Sequence, residues 1–231
     1  MVILITGASK GIGRELVEYY CLQKNCCVFG FSRSNSDFQH EMYNHFNGDV
    51  TIEENVKKLI KYIKETKGYI DVLLNNAGIA SMNHALLSPL STVSSTFNTN
   101  FLGTFLLCRE SFRLLKKSKA GRIINFTSIA VPLNLSGNLI YAASKSAVET
   151  LTRILAKEVG EFKITVNAIG PGPVKTRLIR SINQKKMKEL IDSQTIKSYT
   201  TFEDIINLID FLSLPQSRAI TGQVIYFGGV S

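Results

Sequence analysis

The chain has 231 residues, of which 45% are hydrophobic and 19% are charged, with only 16 glycines and 5 prolines. This composition excludes a collagen-like, low-complexity or wholly disordered protein. No apolar run approaches the roughly 20 residues of a membrane-spanning helix. The apolar stretch after Met1 has no basic flank and no cleavage pattern, so the sequence predicts a cytoplasmic protein.

The formal net charge of +9 is unevenly distributed, since residues 175–197 carry seven basic and two acidic side chains. Such an excess is compatible with an acidic partner or with a solvated surface. No aromatic-studded basic motif accompanies it, so a nucleic-acid partner is not expected. The four cysteines (Cys21, Cys26, Cys27, Cys108) lack metal-ligand spacing, and we expect buried, reduced thiols and no metal site.

Short β-branched runs alternate with helical patterns along the chain. The predicted strands are Val2–Thr6, Cys26–Phe31, a short one at Phe46–Asn47, Asp71–Asn75, Arg122–Thr127, Ile164–Ala168 and Gln223–Phe227. The predicted helices are Arg14–Lys24, Ile52–Thr66, Phe97–Lys117, Leu139–Val159 and one from Thr201 to near Leu214. The alternation predicts an α/β fold with a parallel, doubly wound Rossmann-type sheet, three layers α/β/α, in one domain spanning residues 1–231.

A glycine-rich loop follows the first predicted strand. Its residues Gly7, Ser9, Lys10, Gly11, Ile12 and Gly13 form the pattern G-x-x-x-G-x-G at the start of a helix. Glycines allow a tight turn and close approach of a pyrophosphate, whose charge is met by the helix N-terminus. The loop therefore predicts a dinucleotide site.

The end of the second strand indicates which dinucleotide binds. NAD sites usually carry an acidic residue about 20 residues after the loop, but here Ser32-Arg33 occupies that place and Asp37 is the first carboxylate. A guanidinium suits a 2′-phosphate, and Lys10 is a second candidate cation. We therefore favour NADP(H), the alternative being two solvated cations.

Two further segments are candidates for the adenosine half of the cofactor. Asn76, Ala77 and Gly78 follow the fourth strand, where small residues and amides can approach a ribose. Asp49 and Val50 follow the short third strand and could meet the adenine amino group, although turn chemistry explains Gly48-Asp49 equally well.

Tyr141 and Lys145 are four residues apart in a predicted helix and share one face. A nearby ammonium is expected to lower the pKa of a phenol, which can then exchange a proton with a carbonyl oxygen. Ser128, at a strand end, can hydrogen-bond the same oxygen. Tyr20 and Lys24 repeat the spacing without a serine thirteen residues earlier, so we interpret them as a surface helix pair.

These motifs, in this order, resemble the short-chain dehydrogenase/reductase family over residues 2 to about 229. The resemblance implies a catalytic tetrad of Asn100, Ser128, Tyr141 and Lys145, in which Tyr141 is the acid/base and Asn100 positions a water that relays protons to Lys145. It also implies that Lys145 holds the nicotinamide ribose. A loop containing Pro171, Gly172, Val174 and Thr176 would contact the nicotinamide carboxamide.

Within the family the chain most resembles 3-oxoacyl-[acyl-carrier-protein] reductases, through residues 121–124, 144–147 and 220–223. It departs from them by lacking an Asp before Gly228-Gly229. The expected reaction is reduction of a ketone to a secondary alcohol on a small-molecule or carrier-bound acyl substrate. A sugar or secondary-metabolite ketone, and a catalytically silent dinucleotide sensor, remain alternatives.

The resemblance also implies a homo-oligomer, a tetramer or dimer, joined through helices 97–117 and 139–159. Residues 175–200 are expected to form a flap beside the substrate entrance. The basic excess in that segment would attract anionic substrates, or else line a solvated helix.

Overall fold

Seven parallel strands form one sheet in the computed structural model, which describes residues 1–24, 26–176 and 183–230. The strands are β1 (Val2–Thr6), β2 (Cys27–Ser32), β3 (Tyr43–Asn47), β4 (Val72–Asn75), β5 (Arg122–Phe126), β6 (Thr165–Gly170) and β7 (Val224–Tyr226). Their order across the sheet is β3-β2-β1-β4-β5-β6-β7. The predicted doubly wound parallel sheet is confirmed, and the order reverses between β1 and β4, where such sheets bind ligands.

Helices cover both faces of the sheet. Within the described residues the α-helices are α1 (Gly11–Leu22), α2 (Glu53–Thr66), α3 (Leu90–Phe97), α4 (Gly103–Leu115), α5 (Ala130–Leu133), α6 (Leu139–Val159), α7 (Gln184–Asp192) and α8 (Phe202–Ser213). A π-helical turn, Asn98–Leu102, joins α3 to α4, and short 3-10 turns lie at Ala85–Leu87, Gly160–Phe162, Pro215–Ser217 and Phe227–Gly229.

Two hydrophobic cores lie on opposite faces of the sheet. Side chains alternate along β1, so that Leu4 packs with α2, α4 and α6 while Ile3 and Ile5 pack with α1 and α8. All three side chains are fully buried. This double burial explains why the central strands are continuous apolar runs.

The helix predicted over Phe97–Lys117 is wrong at its start, because the helical run begins at Leu90, directly after Pro89. The sequence Leu-Ser-Thr-Val-Ser-Ser-Thr-Phe is rich in residues that favour caps and turns, which hides the helix. The run then passes through the π turn and ends at Leu115.

Other element boundaries also differ from the predictions. Helix α1 begins at Gly11 and ends at Leu22, so the last two loop glycines lie in its first turn. Strand β3 is five residues long and has β2 as its only neighbour in the described sheet. The last strand ends at Tyr226, because Phe227 enters a 3-10 turn. The flap predicted at residues 175–200 contains α7, and residues 177–182 lie outside the described residues.

Candidate active site

A cleft of about 960 Å³ opens at the carboxyl ends of the strands. The glycine loop, the ends of β2, β4, β5 and β6, and helix α6 all contribute to its walls. Nearly all the predicted site residues line it: Gly7, Ser9, Lys10, Gly11, Ile12, Ser32, Arg33, Asp49, Val50, Asn76, Ala77, Gly78, Ser128, Tyr141, Lys145, Pro171, Gly172, Val174 and Thr176. The other two, Gly13 and Asn100, lie behind this surface.

The glycine loop has a shape that only glycine can adopt. Gly7 and Gly11 have φ values of +68° and +55°, in the left-handed region. At Gly13 a Cβ atom would stand 2.3 Å from the carbonyl oxygen of Gly7. The backbone therefore forms a shallow cradle at the N-terminus of α1, which suits a diphosphate.

The segment after β4 holds the glycine loop in place. Asn76 Nδ2 donates to the carbonyl oxygen of Thr6 at 2.9 Å, and the amide of Ala77 donates to Thr6 Oγ1 at 2.9 Å. The amide nitrogen of Asn76 is thus bonded within the protein, while contact of this segment with a ribose stays a prediction. Its neighbour Asn75 is buried and donates to Asn125 Oδ1 at 2.8 Å.

Asp49 lines the cleft and also builds a turn. Its Oδ1 accepts from the Thr51 amide at 2.9 Å and from Thr51 Oγ1 at 2.8 Å. These bonds are those of an Asx turn. Turn chemistry therefore accounts for the position of this carboxylate, while contact with an adenine stays a prediction.

Lys145 lies one helical turn after Tyr141 on α6 and is 4% exposed. Its Nζ donates to the carbonyl oxygen of Phe126 at 2.7 Å. A Cβ on Gly78 would come within 3.3 Å of this nitrogen, so the glycine leaves it room. Burial lowers the pKa of Lys145 to about 8.

Burial raises the pKa of Tyr141 above its usual value, and a hydrogen bond with Ser128 partly opposes that effect. With its pKa raised, Tyr141 is a hydroxyl at neutral pH in this structure. The Lys145 ammonium is directed to the carbonyl oxygen of Phe126, and a lowering of the Tyr141 pKa by Lys145 stays a prediction.

Asn100 lies in the π turn and is fully buried. Its Oδ1 accepts from the Ile79 amide at 2.8 Å, and its Nδ2 donates to Ile79 O and to Ser144 Oγ, each at 2.9 Å. Thr104 Oγ1 donates to the Asn100 carbonyl at 2.8 Å. Asn100 thus connects the segment after β4 to the helix that carries Tyr141 and Lys145.

The second Tyr-x-x-x-Lys pair is structural, but Tyr20 is not on the surface as predicted. Tyr20 is 1% exposed and donates to Asp210 Oδ1 at 2.9 Å. Lys24 forms an ion pair with the same carboxylate at 3.3 Å. The pair therefore fastens α1 to α8, away from the cleft.

Sequence reasoning did not single out several other residues that line the cleft. Met82, Leu135 and Asn138 line it from two loops, and Lys186 and Glu189 line it from α7. No local pattern marks the first three. The basic segment pointed to α7, and Lys186 is the lysine of that helix that reaches the cleft.

The remaining sequence expectations concern groups outside the cleft. The four cysteines are buried and unpaired. Among residues 1–24, 26–176 and 183–230 no group of three His, Cys, Asp or Glu side chains is placed to hold a metal ion. Within the same residues no helix is both long and apolar enough for a membrane span.

Comparisons with known proteins identify the family. The model of the family described as short chain dehydrogenase matches residues 1–187. The chain is 30% identical to the 3-oxoacyl-[acyl-carrier-protein] reductase FabG of Vibrio cholerae, over 99% of this chain and 96% of that protein. It is 32% identical to the enzyme of the same name from Buchnera aphidicola subsp. Schizaphis graminum, over 98% and 95%.

Solved structures agree with this. A 3-ketoacyl-(acyl-carrier-protein) reductase from Brucella melitensis, complexed with NADH, superposes with a TM-score of 0.89 at 25% identity and covers 99% of this chain and 96% of its own. A 4-hydroxyisoleucine dehydrogenase complexed with NADH superposes with a TM-score of 0.87 at 28% identity, and the match covers 99% of this chain and 97% of that chain. Because the family model spans most of the sequence and relatives align over nearly all of it, the chain belongs to the short-chain dehydrogenase/reductase family of oxidoreductases.

Proposed function

We propose that the chain is an NADP(H)-dependent reductase that converts a ketone to a secondary alcohol, with a 3-oxoacyl thioester on an acyl carrier protein as the first substrate to test. The observation that carries this proposal is that one cleft brings the glycine cradle together with Ser128, Tyr141 and Lys145. The similarity to 3-oxoacyl reductases supports the choice of substrate.

The cleft fits a dinucleotide. The glycine cradle would hold the pyrophosphate, and the loop of Pro171, Gly172, Val174 and Thr176 would hold the nicotinamide end. Arg33 and Lys10 are exposed at the adenosine end and form no ion pair with any described residue. Asp37, by contrast, is paired with Arg14 at 3.1 Å and is not part of the cleft wall.

The cations at this end would bind a 2′-phosphate, while a carboxylate that could hold a 2′-hydroxyl is directed elsewhere. This arrangement supports NADP(H) over NAD(H). When bound, the reduced cofactor supplies the hydride.

The protein supplies the proton. With its pKa raised, Tyr141 carries the hydrogen that the carbonyl oxygen needs as it is reduced. Ser128 would donate a hydrogen bond to the same oxygen and hold it near the phenol. Lys145, with a pKa of about 8, is mostly protonated at neutral pH and can return a proton to Tyr141.

A homo-oligomer in the cytoplasm is the expected form of the enzyme. Phe105 on α4 and Leu139 and Ile154 on α6 are 40%, 60% and 52% exposed. Apolar side chains of this size, exposed on both helices, support an interface between copies of the chain. Sedimentation of the purified protein would test this.

A screen of NADPH oxidation over acetoacetyl thioesters, diketones and keto-sugars tests the activity. We expect turnover with at least one ketone, fastest with a thioester, and none with Tyr141→Phe. Tight NADPH binding with no turnover on any ketone would favour the dinucleotide-sensor alternative and contradict the proposal.

A further inference from the structure

The edge strand β3 has two chemically different faces. Side chains alternate along a strand, so Tyr43, His45 and Asn47 share one face, and Asn44 and Phe46 share the other. On the second face Tyr62 of α2 donates to Asn44 Oδ1 at 3.3 Å and stacks obliquely with Phe46, with ring centres 6.2 Å apart. Asn44 and Phe46 thus contact α2, whereas His45 and Asn47 on the first face contact the segment that follows β2.

The polar face of β3 supports the turn that carries Arg33, which we call the Arg33 turn (residues 32–35). His45 Nε2 lies 3.0 Å from the carbonyl oxygen of Ser34. Asn47 Nδ2 donates to Asn35 Oδ1. Two side chains of one strand thus contact the two residues that follow Arg33.

The residue before Arg33 is also fixed. Ser32 Oγ donates to the carbonyl oxygen of Ser34 at 2.8 Å, and the amide of Gly48 donates to Ser32 O at 3.0 Å. Arg33 is therefore held on both sides, while its own side chain is exposed at the cleft.

The hydrogen bonds define how His45 acts. A carbonyl oxygen only accepts, so Nε2 carries the hydrogen that is donated to Ser34 O. In the neutral ring Nδ1 is then the acceptor for the Tyr43 hydroxyl, 2.6 Å away. The Tyr43 ring is itself fixed, because it packs where a Cβ on Gly30 would stand.

We propose that His45, oriented by Tyr43, is a positioning residue that fixes the Arg33 turn and thereby sets the preference for a dinucleotide with a 2′-phosphate. This inference rests on the proposed function, since it assumes that Arg33 meets that phosphate. The two cofactors differ at the 2′-position alone. A defect in the turn therefore changes the ratio of their affinities, whereas general damage to the adenosine site weakens both.

The test measures Kd for NADPH and for NADH, by calorimetric titration, in the wild type and four variants. His45→Leu removes the donor, and His45→Gln keeps a donating nitrogen near the position of Nε2. Tyr43→Phe removes only the hydroxyl that orients the ring. Asn44→Leu is the matched control on the opposite face of the same strand, and thermal melts verify folding.

We expect His45→Leu to reduce the NADPH-over-NADH preference about fivefold, which is the size of one lost hydrogen bond. Tyr43→Phe should reduce it less, and His45→Gln and Asn44→Leu should retain it. A change below twofold in both His45→Leu and Tyr43→Phe would overturn the proposal. An equal fall in Asn44→Leu, or no rescue by His45→Gln, would overturn it too.

The wild-type measurement separates this inference from the proposed function. If the wild type binds NADH as tightly as NADPH, the assignment of NADP(H) fails and His45 has no preference to set. If the wild type prefers NADPH and the His45 variants keep that preference, only the role of His45 fails.

Discussion

Replacing Lys145 with Met should stabilise the cofactor-free protein near neutral pH. Burial lowers the pKa of this lysine from 10.5 to about 8. At about 1.4 kcal/mol per pH unit, keeping the ammonium charged in the folded state at about pH 7 costs about 3 kcal/mol. Loss of the hydrogen bond to Phe126 O removes about 1 kcal/mol, so we expect a net gain of about 2 kcal/mol.

The stability gained by Lys145→Met should decrease as pH rises. The folded protein releases the Lys145 proton near pH 8, and the unfolded chain keeps it to about pH 10.5. Between these values the unfolded state binds more protons, so the wild type gains stability as pH rises. The variant lacks this group, and its advantage should disappear by about pH 10.

The assay is equilibrium unfolding in urea at about pH 7 and about pH 10, at one fixed protein concentration because oligomerisation alters apparent stability. Lys157→Met is the control, since this lysine is exposed on the same helix; it should change stability by well under 1 kcal/mol at both pH values. A Lys145→Met protein less stable than wild type at about pH 7, or a pH-independent difference, would refute the reasoning.

Three further predictions concern the cleft. Tyr141→Phe should keep NADPH affinity and lower kcat at least about a hundredfold, because only the proton donor is lost; a kcat within tenfold of wild type, measured on the best ketone of the screen, would contradict that role. Arg33→Asp should weaken NADPH binding about tenfold or more and leave NADH nearly unchanged in titrations; equal losses for both would contradict a 2′-phosphate contact. Lys186→Glu should weaken the decrease of kcat/KM with rising salt concentration for an anionic thioester. Lys188→Glu is the control, because Lys188 is not part of the cleft wall, and it should change this salt dependence less. Parallel salt curves for the wild type and Lys186→Glu would reject steering by this lysine.

The sequence predicted those parts of the fold whose signals are local. Strand β1 and helix α6 are predicted with their observed bounds, because β1 is an unbroken apolar run that stops at Gly7 and α6 has a long helical pattern. Helix α3 was missed since serine and threonine suit turns as well as helices. Three of the five residues of β3 were missed since an edge strand with one polar face lacks an apolar run.

In the candidate site, too, the local patterns could be predicted from the sequence and the long-range contacts could not. The glycine loop and the Tyr141 helix were recognisable because their spacing reflects backbone geometry. The contact of Asn100 with Ile79, and the direction of Lys145 toward Phe126, join residues about twenty positions apart. The pKa values of Tyr141 and Lys145 depend on burial, which is the sum of many tertiary contacts, so the sequence alone does not give the direction of either shift.

The two Tyr-x-x-x-Lys pairs of this chain show why spacing alone does not define a catalytic group. Burial raises the pKa of both tyrosines, so neither is a ready phenolate. Tyr20 gives its hydrogen to Asp210, a carboxylate that also binds Lys24, so its proton is committed inside the protein. Tyr141 stands at the carboxyl edge of the sheet, where its hydroxyl meets Ser128 and the cleft. The position of the helix relative to the strand ends, more than the motif itself, makes Tyr20 a structural residue and leaves Tyr141 available for the proton transfer that we propose.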